Sequence, residues 1–260
     1  MDRQKASILS DATYIMTQKG KNKKEKTKLI NDLVEKTNYR LKPKYSNQNI
    51  LTFENINDDK DLVVSHRGTN LRNKKDLYAD LGLAFGFSDT LPYVKRRRRK
   101  TEEIINKLEP EKFYLVGHSL GGYTVKQSLK DSKKIRNKLT EAHTFNAGAN
   151  AIFNDNLKVN KKIKKQLEDK VTHHRINGDL VSASLKSFIP FGKVQNYKLK
   201  EKNEKEGQNI LNKALTFNPV LKQIKNLTSK AIDAHHIDNF YKKDLIKINK
   251  KQEKEAQVIE

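Results

Sequence analysis

The sequence predicts an α/β fold, a mostly parallel sheet flanked by helices. Three observations carry this. Short apolar runs at Asp61–Ser65, Phe113–Val116, Glu141–Gly148 and Lys170–Ile176 have the length and composition of buried strands. Helix-compatible segments separate them, and the resulting β–α–β–α–β order calls for parallel strands joined by crossovers. One run, Phe113–Val116, leads directly into Gly117-His118-Ser119-Leu120-Gly121-Gly122. That pattern reads as strand, sharp turn and helix, with small residues where strand and helix approach.

Taken in order, Ile8, Leu9, Ala12, Ile15 and Met16 recur at helical spacing over residues 5–18. A basic, glycine-containing break at Lys19–Lys24 precedes a second helix marked by Leu29, Ile30, Leu33 and Val34. Polar residues and Pro43 predict a loop from Asn38 to Ser46. Asn49–Ile56 alternates apolar and polar residues as a strand does, and Asn57-Asp58-Asp59 is a turn signal before the strand Asp61–Ser65. Leu77–Phe87 is apolar and punctuated by glycines, suited to core or to a mobile cover over an apolar site. Asp89 and Pro92 mark a helix start, with Val94, Arg98, Thr101, Ile105 and Leu108 on one face. The run Lys95–Lys100 lies inside this helix and reads as a solvated face rather than a nucleic-acid signal. Lys161–Leu167 is a short basic helix, and Tyr197 and Leu199 suggest a late strand. The organisation expected is a single domain over 1–241, with N-terminal helices in 1–37 and a basic charged tail over 242–260.

The chain has 260 residues, 35% hydrophobic and 33% charged, which suits a folded core with a charged skin. A net charge of +23 favours contact with polyanions, an anionic membrane surface or nucleic acid. Cysteine is absent, so neither a disulfide framework nor a thiolate metal site is available. The N-terminus lacks a signal-peptide h-region or a membrane span, so an intracellular, soluble or peripheral-membrane protein is expected.

Ser119 sits at the centre of G-x-S-x-G. A serine hydroxyl is a weak nucleophile and needs a base within hydrogen-bond reach, itself oriented by a carboxylate. In sheets of this topology the partners follow in the order Ser, Asp, His. Asp179 ends the strand Lys170–Ile176 in a Gly-containing turn and fits the acid. His235 or His236 fits the base. His143, His173 and His174 come too early and read as structural or surface residues, and His66 and His118 receive no proton-transfer role. Leu120 N–H, at the helix start, and Thr69, at the end of a neighbouring strand, are the candidate oxyanion donors. No H-E-x-x-H, Walker loop or G-x-G-x-x-G occurs, so a hydrolase without cofactor or metal is expected.

With these residues in place, the chain resembles the class 3 (fungal-type) lipase family of α/β-hydrolases. The likeness lies in Val63–Asp80 (VVSHRGTNLRNKKDLYAD), Tyr114–Gly122, Ala142–Gly148 (AHTFNAG), Asn177–Val181 (NGDLV) and Ala234-His235, in the family's order. It implies Ser119 as nucleophile, Asp179 as acid, His235 as base with His236 one residue away, and oxyanion donors at Thr69 and Leu120 supported by Asp80. It implies hydrolysis of lipid carboxylic esters, as by a triacylglycerol lipase or a phospholipase A. His66 stands where the family has an aromatic or apolar residue, Leu77 where tryptophan is common, and disulfides are missing; these departures bear on interfacial activation and bulk triglyceride more than on ester cleavage. The alternative from another class is a weak or inactive hydrolase-fold protein that binds anionic membranes or nucleic acid.

Overall fold

Among the described residues the sheet has eight strands in strictly sequential order: β1 (Tyr39–Leu41), β2 (Ile50–Asn55), β3 (Asp58–His66), β4 (Lys112–His118), β5 (Glu141–Phe145), β6 (Val171–Ile176), β7 (Lys193–Leu199) and β8 (Leu245–Lys247). The computed structural model describes residues 1–68, 90–147, 159–177, 179, 191–199, 236–242 and 245–247. β1–β2 and β2–β3 pair antiparallel, β3 to β7 pair parallel, and β8 returns antiparallel along β7. Two residues join β2 to β3, which only an antiparallel pair permits, whereas each parallel step needs a crossover.

The helices are α1 (Arg3–Ile15), α2 (Lys23–Val34), α3 (Thr90–Leu108), α4 (Leu120–Asp131), α5 (Lys133–Lys138), α6 (Lys161–Leu167) and α7 (Asn239–Lys242). Parallel strands laid down in sequence by right-handed crossovers put every crossover helix on the same face. Ile104 and Ile105 of α3, Val125 and Leu129 of α4, Ile135 of α5 and Leu167 of α6 accordingly share one buried cluster with Leu62, Val64, Phe113 and Leu115 of the sheet. The opposite face is left to the chain's beginning and end: Ala6, Leu9 and Ala12 of α1 and Ile30 and Val34 of α2 cover Val63, Val116, Phe145 and Ile176, with Phe240 of α7. Along β3 the side chains alternate between clusters, Leu62 and Val64 on one side and Val63 on the other, as the two-residue strand period requires. Burying each such side chain contributes roughly 1.5–3 kcal/mol.

Several boundaries differ from those the sequence suggests. The expected loop 38–46 contains β1, whose burial alternates about an exposed Arg40, a period too short to register in sequence. β3 begins at Asp58, inside the expected turn. The break at Lys19–Lys24 contains a helix start. Asn22 Oδ1 accepts from Glu25 N–H, and Glu25 Oε2 accepts from Asn22 N–H, each at 3.0 Å, a reciprocal cap that starts α2 at Lys23. Leu245–Lys247, within the expected tail, forms β8. No helix among the described residues is long and apolar enough to cross a membrane.

Candidate active site

The turn between β4 and α4 is backbone-strained at one residue, Ser119, with φ 54° and ψ −123°. A side-chain-bearing residue in that region costs on the order of 1–3 kcal/mol, sustained only where surroundings hold it. Here Ser119 N–H donates to Phe145 O and Ser119 O accepts from Tyr123 N–H, both at 3.0 Å. The elbow also requires glycine at Gly121, where a Cβ would lie 2.0 Å from His66 O, and at Gly68, where one would meet Tyr14 Oη at 2.3 Å and Ser119 Cβ at 3.2 Å. The end of β3 is thus pressed against the serine. Ser119 is fully buried, and its hydroxyl has no hydrogen-bond partner among the described residues. Leu120 is the first residue of α4, so its N–H belongs to the set without an intrahelical partner.

Asp179 follows β6, two strands from β4 at the same carboxyl end of the parallel sheet, and is 0% exposed. An ordinary turn aspartate faces water; this one does not. Its N–H donates to Ile176 O at 3.2 Å. Burial pulls the neighbouring Arg175 guanidinium below its ordinary value, and the Asp179 carboxylate opposes that shift. His236 is exposed, while Ile237 beside it is buried. Thr69, Asp80, His235 and the apolar stretch Leu77–Phe87 lie outside the described residues.

Parallel β3–β7, the serine elbow after β4 and a buried aspartate after β6 define the architecture. This is an α/β fold with a mostly parallel mixed sheet. No family model matches the chain, and no curated protein matches it. Among solved structures, a fungal lipase–inhibitor complex aligns over 88% of this chain and 94% of its own at 14% identity, with a TM-score of 0.47. A variant of MDLA from Penicillium cyclopium aligns over 78% and 80% at 15% identity, with a TM-score of 0.45.

Three residues near the elbow escape sequence reasoning. Tyr14, from α1, lies behind Ser119 with its Oη 2.7 Å from His118 Nδ1. Burial, then Asp11, raises its phenol well above the ordinary range, so it stays protonated. Asn146 has φ 40°, and its Oδ1 accepts from Ile176 N–H at 3.0 Å, linking the end of β5 to the acid-bearing end of β6. Arg97 is the third. The basic run does present exposed Lys95, Arg96 and Arg99, but Arg97 is 3% exposed. Spacing does not separate it from Arg98, since both lie three or four residues from Val94 and Thr101; the packing of α3 against the segment after β3 is what turns Arg97 inward. Arg98 instead pairs with Asp131 at 2.6 Å near the surface.

Proposed function

We propose that the protein is a serine hydrolase cleaving carboxylic esters of lipids. The observation that carries this reading is Ser119 itself: a buried serine in strained backbone between a parallel strand and a helix start, with a buried carboxylate at Asp179 on the same sheet end. Ser119 Oγ attacks the ester carbonyl. A histidine takes its proton and returns it to the leaving alcohol, while Asp179 orients the ring. Leu120 N–H and Thr69 receive the oxyanion, and water releases the acyl group. Of the two histidines we assign the base to His235, which follows Ala234 in the block that resembles the family's Ala-His, whereas His236 is exposed and Ser119 is fully buried.

The lipid substrate rests on the resemblance of the five sequence blocks to class 3 lipases. The net charge of +23 suits an anionic lipid surface as the place of action. The nucleic-acid alternative loses support from Lys95–Lys100, since Arg97 is buried and Arg98 is paired. The test is a fluorophosphonate probe together with a panel of phospholipids, acylglycerols and short-chain esters. Wild type is expected to label and turn over, and Ser119→Ala to do neither, with a loss of about 10⁴-fold or more. Equal labelling of the two proteins would refute the assignment. Within the panel, His235→Ala is expected to lose most activity and His236→Ala little.

A further inference from the structure

Arg67 follows the last residue of β3, between His66 and Gly68, and Arg97 approaches it from α3. Arg97 Nη1 donates to Arg67 O. Both guanidiniums also turn to one acceptor, Asn49 Oδ1, Arg67 Nη2 at 3.0 Å and Arg97 Nη2 at 3.3 Å. Tyr93 Oη donates to that same oxygen at 3.4 Å, and its ring lies 3.8 Å under the Arg97 guanidinium carbon. Three donors therefore share one amide oxygen, while Arg67 Nε and Arg97 Nε are buried without a partner among the described residues. Among the described residues no carboxylate pairs with either arginine. Burial first, and the Arg67 charge next, push the Arg97 guanidinium down to about 8.

A cluster so rich in donors and so poor in acceptors is costly unless something supplies oxygen lone pairs. The floor of the cluster is buried Arg97, but Arg67, Tyr93 and Asn49 are half-exposed, so solvent reaches it. It lies at the carboxyl end of the parallel strands, where open α/β sheets take their ligands. Two forked guanidiniums and a hydroxyl approach from different directions. A tetrahedral anion with several terminal oxygens satisfies that arrangement better than a planar carboxylate.

We propose that Arg67 and Arg97, with Tyr93 and Asn49, form a binding site for a phosphate-type oxyanion beside Ser119, its source a lipid phosphoester or free inorganic phosphate. As a subsite for a lipid substrate it rests on the hydrolase reading; as an anion site it does not.

The test begins with thermal melting of the full chain in inorganic phosphate against chloride at equal ionic strength. Wild type is expected to gain on the order of 5 °C at about a hundred times its Kd. Asn49→Asp places a carboxylate among the donors: it is expected to melt higher without phosphate and to lose the phosphate response. Arg67→Gln, at a half-exposed position, is expected to bind phosphate about tenfold more weakly, the loss of one charge-assisted contact. No phosphate-specific shift in wild type, or an Asn49→Asp response equal to wild type, would overturn the proposal; the latter outcome would be general stabilisation of the compact state by exclusion of phosphate from the protein surface. Calorimetry on Ser119→Ala with dihexanoyl phosphatidylglycerol and dihexanoylglycerol separates the sources without any turnover. Competition between phosphate and the phospholipid alone assigns a lipid phosphoester; phosphate binding without competition assigns free phosphate. A failed ester assay with an intact phosphate response would remove the hydrolase reading and leave the site standing.

Discussion

On the face covered by α3–α6, each buried histidine is closed off by its own crossover unit. His66 Nε2 lies 3.3 Å from Thr101 Oγ1 of α3, and His173 lies 2.7 Å from Thr144 Oγ1 and 2.9 Å from Phe191 O. On the face covered by α1 and α2 the polar groups lean on residues from far away in the chain. Tyr14 meets His118 across 104 positions, Tyr241 Oη donates to Asp11 Oδ2 across 230, and Arg3 stacks over the Tyr197 ring at 4.8 Å. In each of these α1 is one partner. Beneath it, His143 Nδ1 and His174 Nε2 are 3.0 Å apart, and His174 Nδ1 is 3.1 Å from Tyr197 Oη. One face is thus completed by the connections that build it, while the other waits for a helix that no crossover supplies. The same helix that covers the second face also backs the serine turn.

Acid should test both faces with the largest effect. Burial, then Arg97, lowers His66 to about 3; burial, then Lys126, lowers His173 to about 3; burial, then His143, lowers His174 well below its ordinary value. Above pH 6.5 these rings are neutral in both folded and unfolded chains and contribute nothing to pH dependence. Below pH 6.5, down to about 3 for His66 and His173, only the unfolded chain takes up these protons, so stability falls as pH falls by roughly 1.4 kcal/mol per unit for each histidine still neutral in the fold. Denaturant titrations across that window should show a shallower slope for His66→Gln, His173→Gln and His174→Gln. A slope unchanged in all three would contradict this account.

Next in size is Gly121→Ala on the crossover face. Its Cβ would fall on the His66 carbonyl, and backbone has no rotamer by which to yield. We expect a loss of about 3 kcal/mol or more, together with loss of esterase activity. The smallest effect is the most discriminating. Tyr14→Phe removes one buried hydrogen bond, costing about 1 kcal/mol. Tyr39→Phe removes a similar bond to Asp61 at 2.8 Å, distant in the fold from the elbow. Both should destabilise alike, but only Tyr14→Phe should lower kcat, by roughly tenfold. Equal kcat losses would mean that the α1 face supports the fold without acting on the serine.

Reading the elbow from sequence works because its determinants are contiguous. Four apolar residues, a serine flanked by glycines and a helix start all fall within Phe113–Gly122. The parallel core is readable for a related reason, since alternation of strands and helices together with crossover handedness leaves few arrangements. What failed to register depends on partners. β1 and β8 are three residues each, and their pairing with β2 and β7 defines them more than composition does. Arg97 carries the look of a solvated charge, and spacing from Val94 and Thr101 fits Arg98 equally well; only the contact with Arg67 O marks it as buried. Tyr14 looks like any residue of an amphipathic helix, and nothing local announces a contact with His118.

The sequence by itself determined the succession of strands and helices in the parallel core and the strained turn at Ser119, all set by period, turn chemistry and handedness acting over short stretches. Tertiary structure alone decided which surface α1 would cover, that Tyr14 would stand behind the serine, and that two arginines from separate elements would face one another beside it. Those outcomes follow from burying a second sheet face against whatever apolar helix remains, a requirement of the assembled sheet that no single segment expresses.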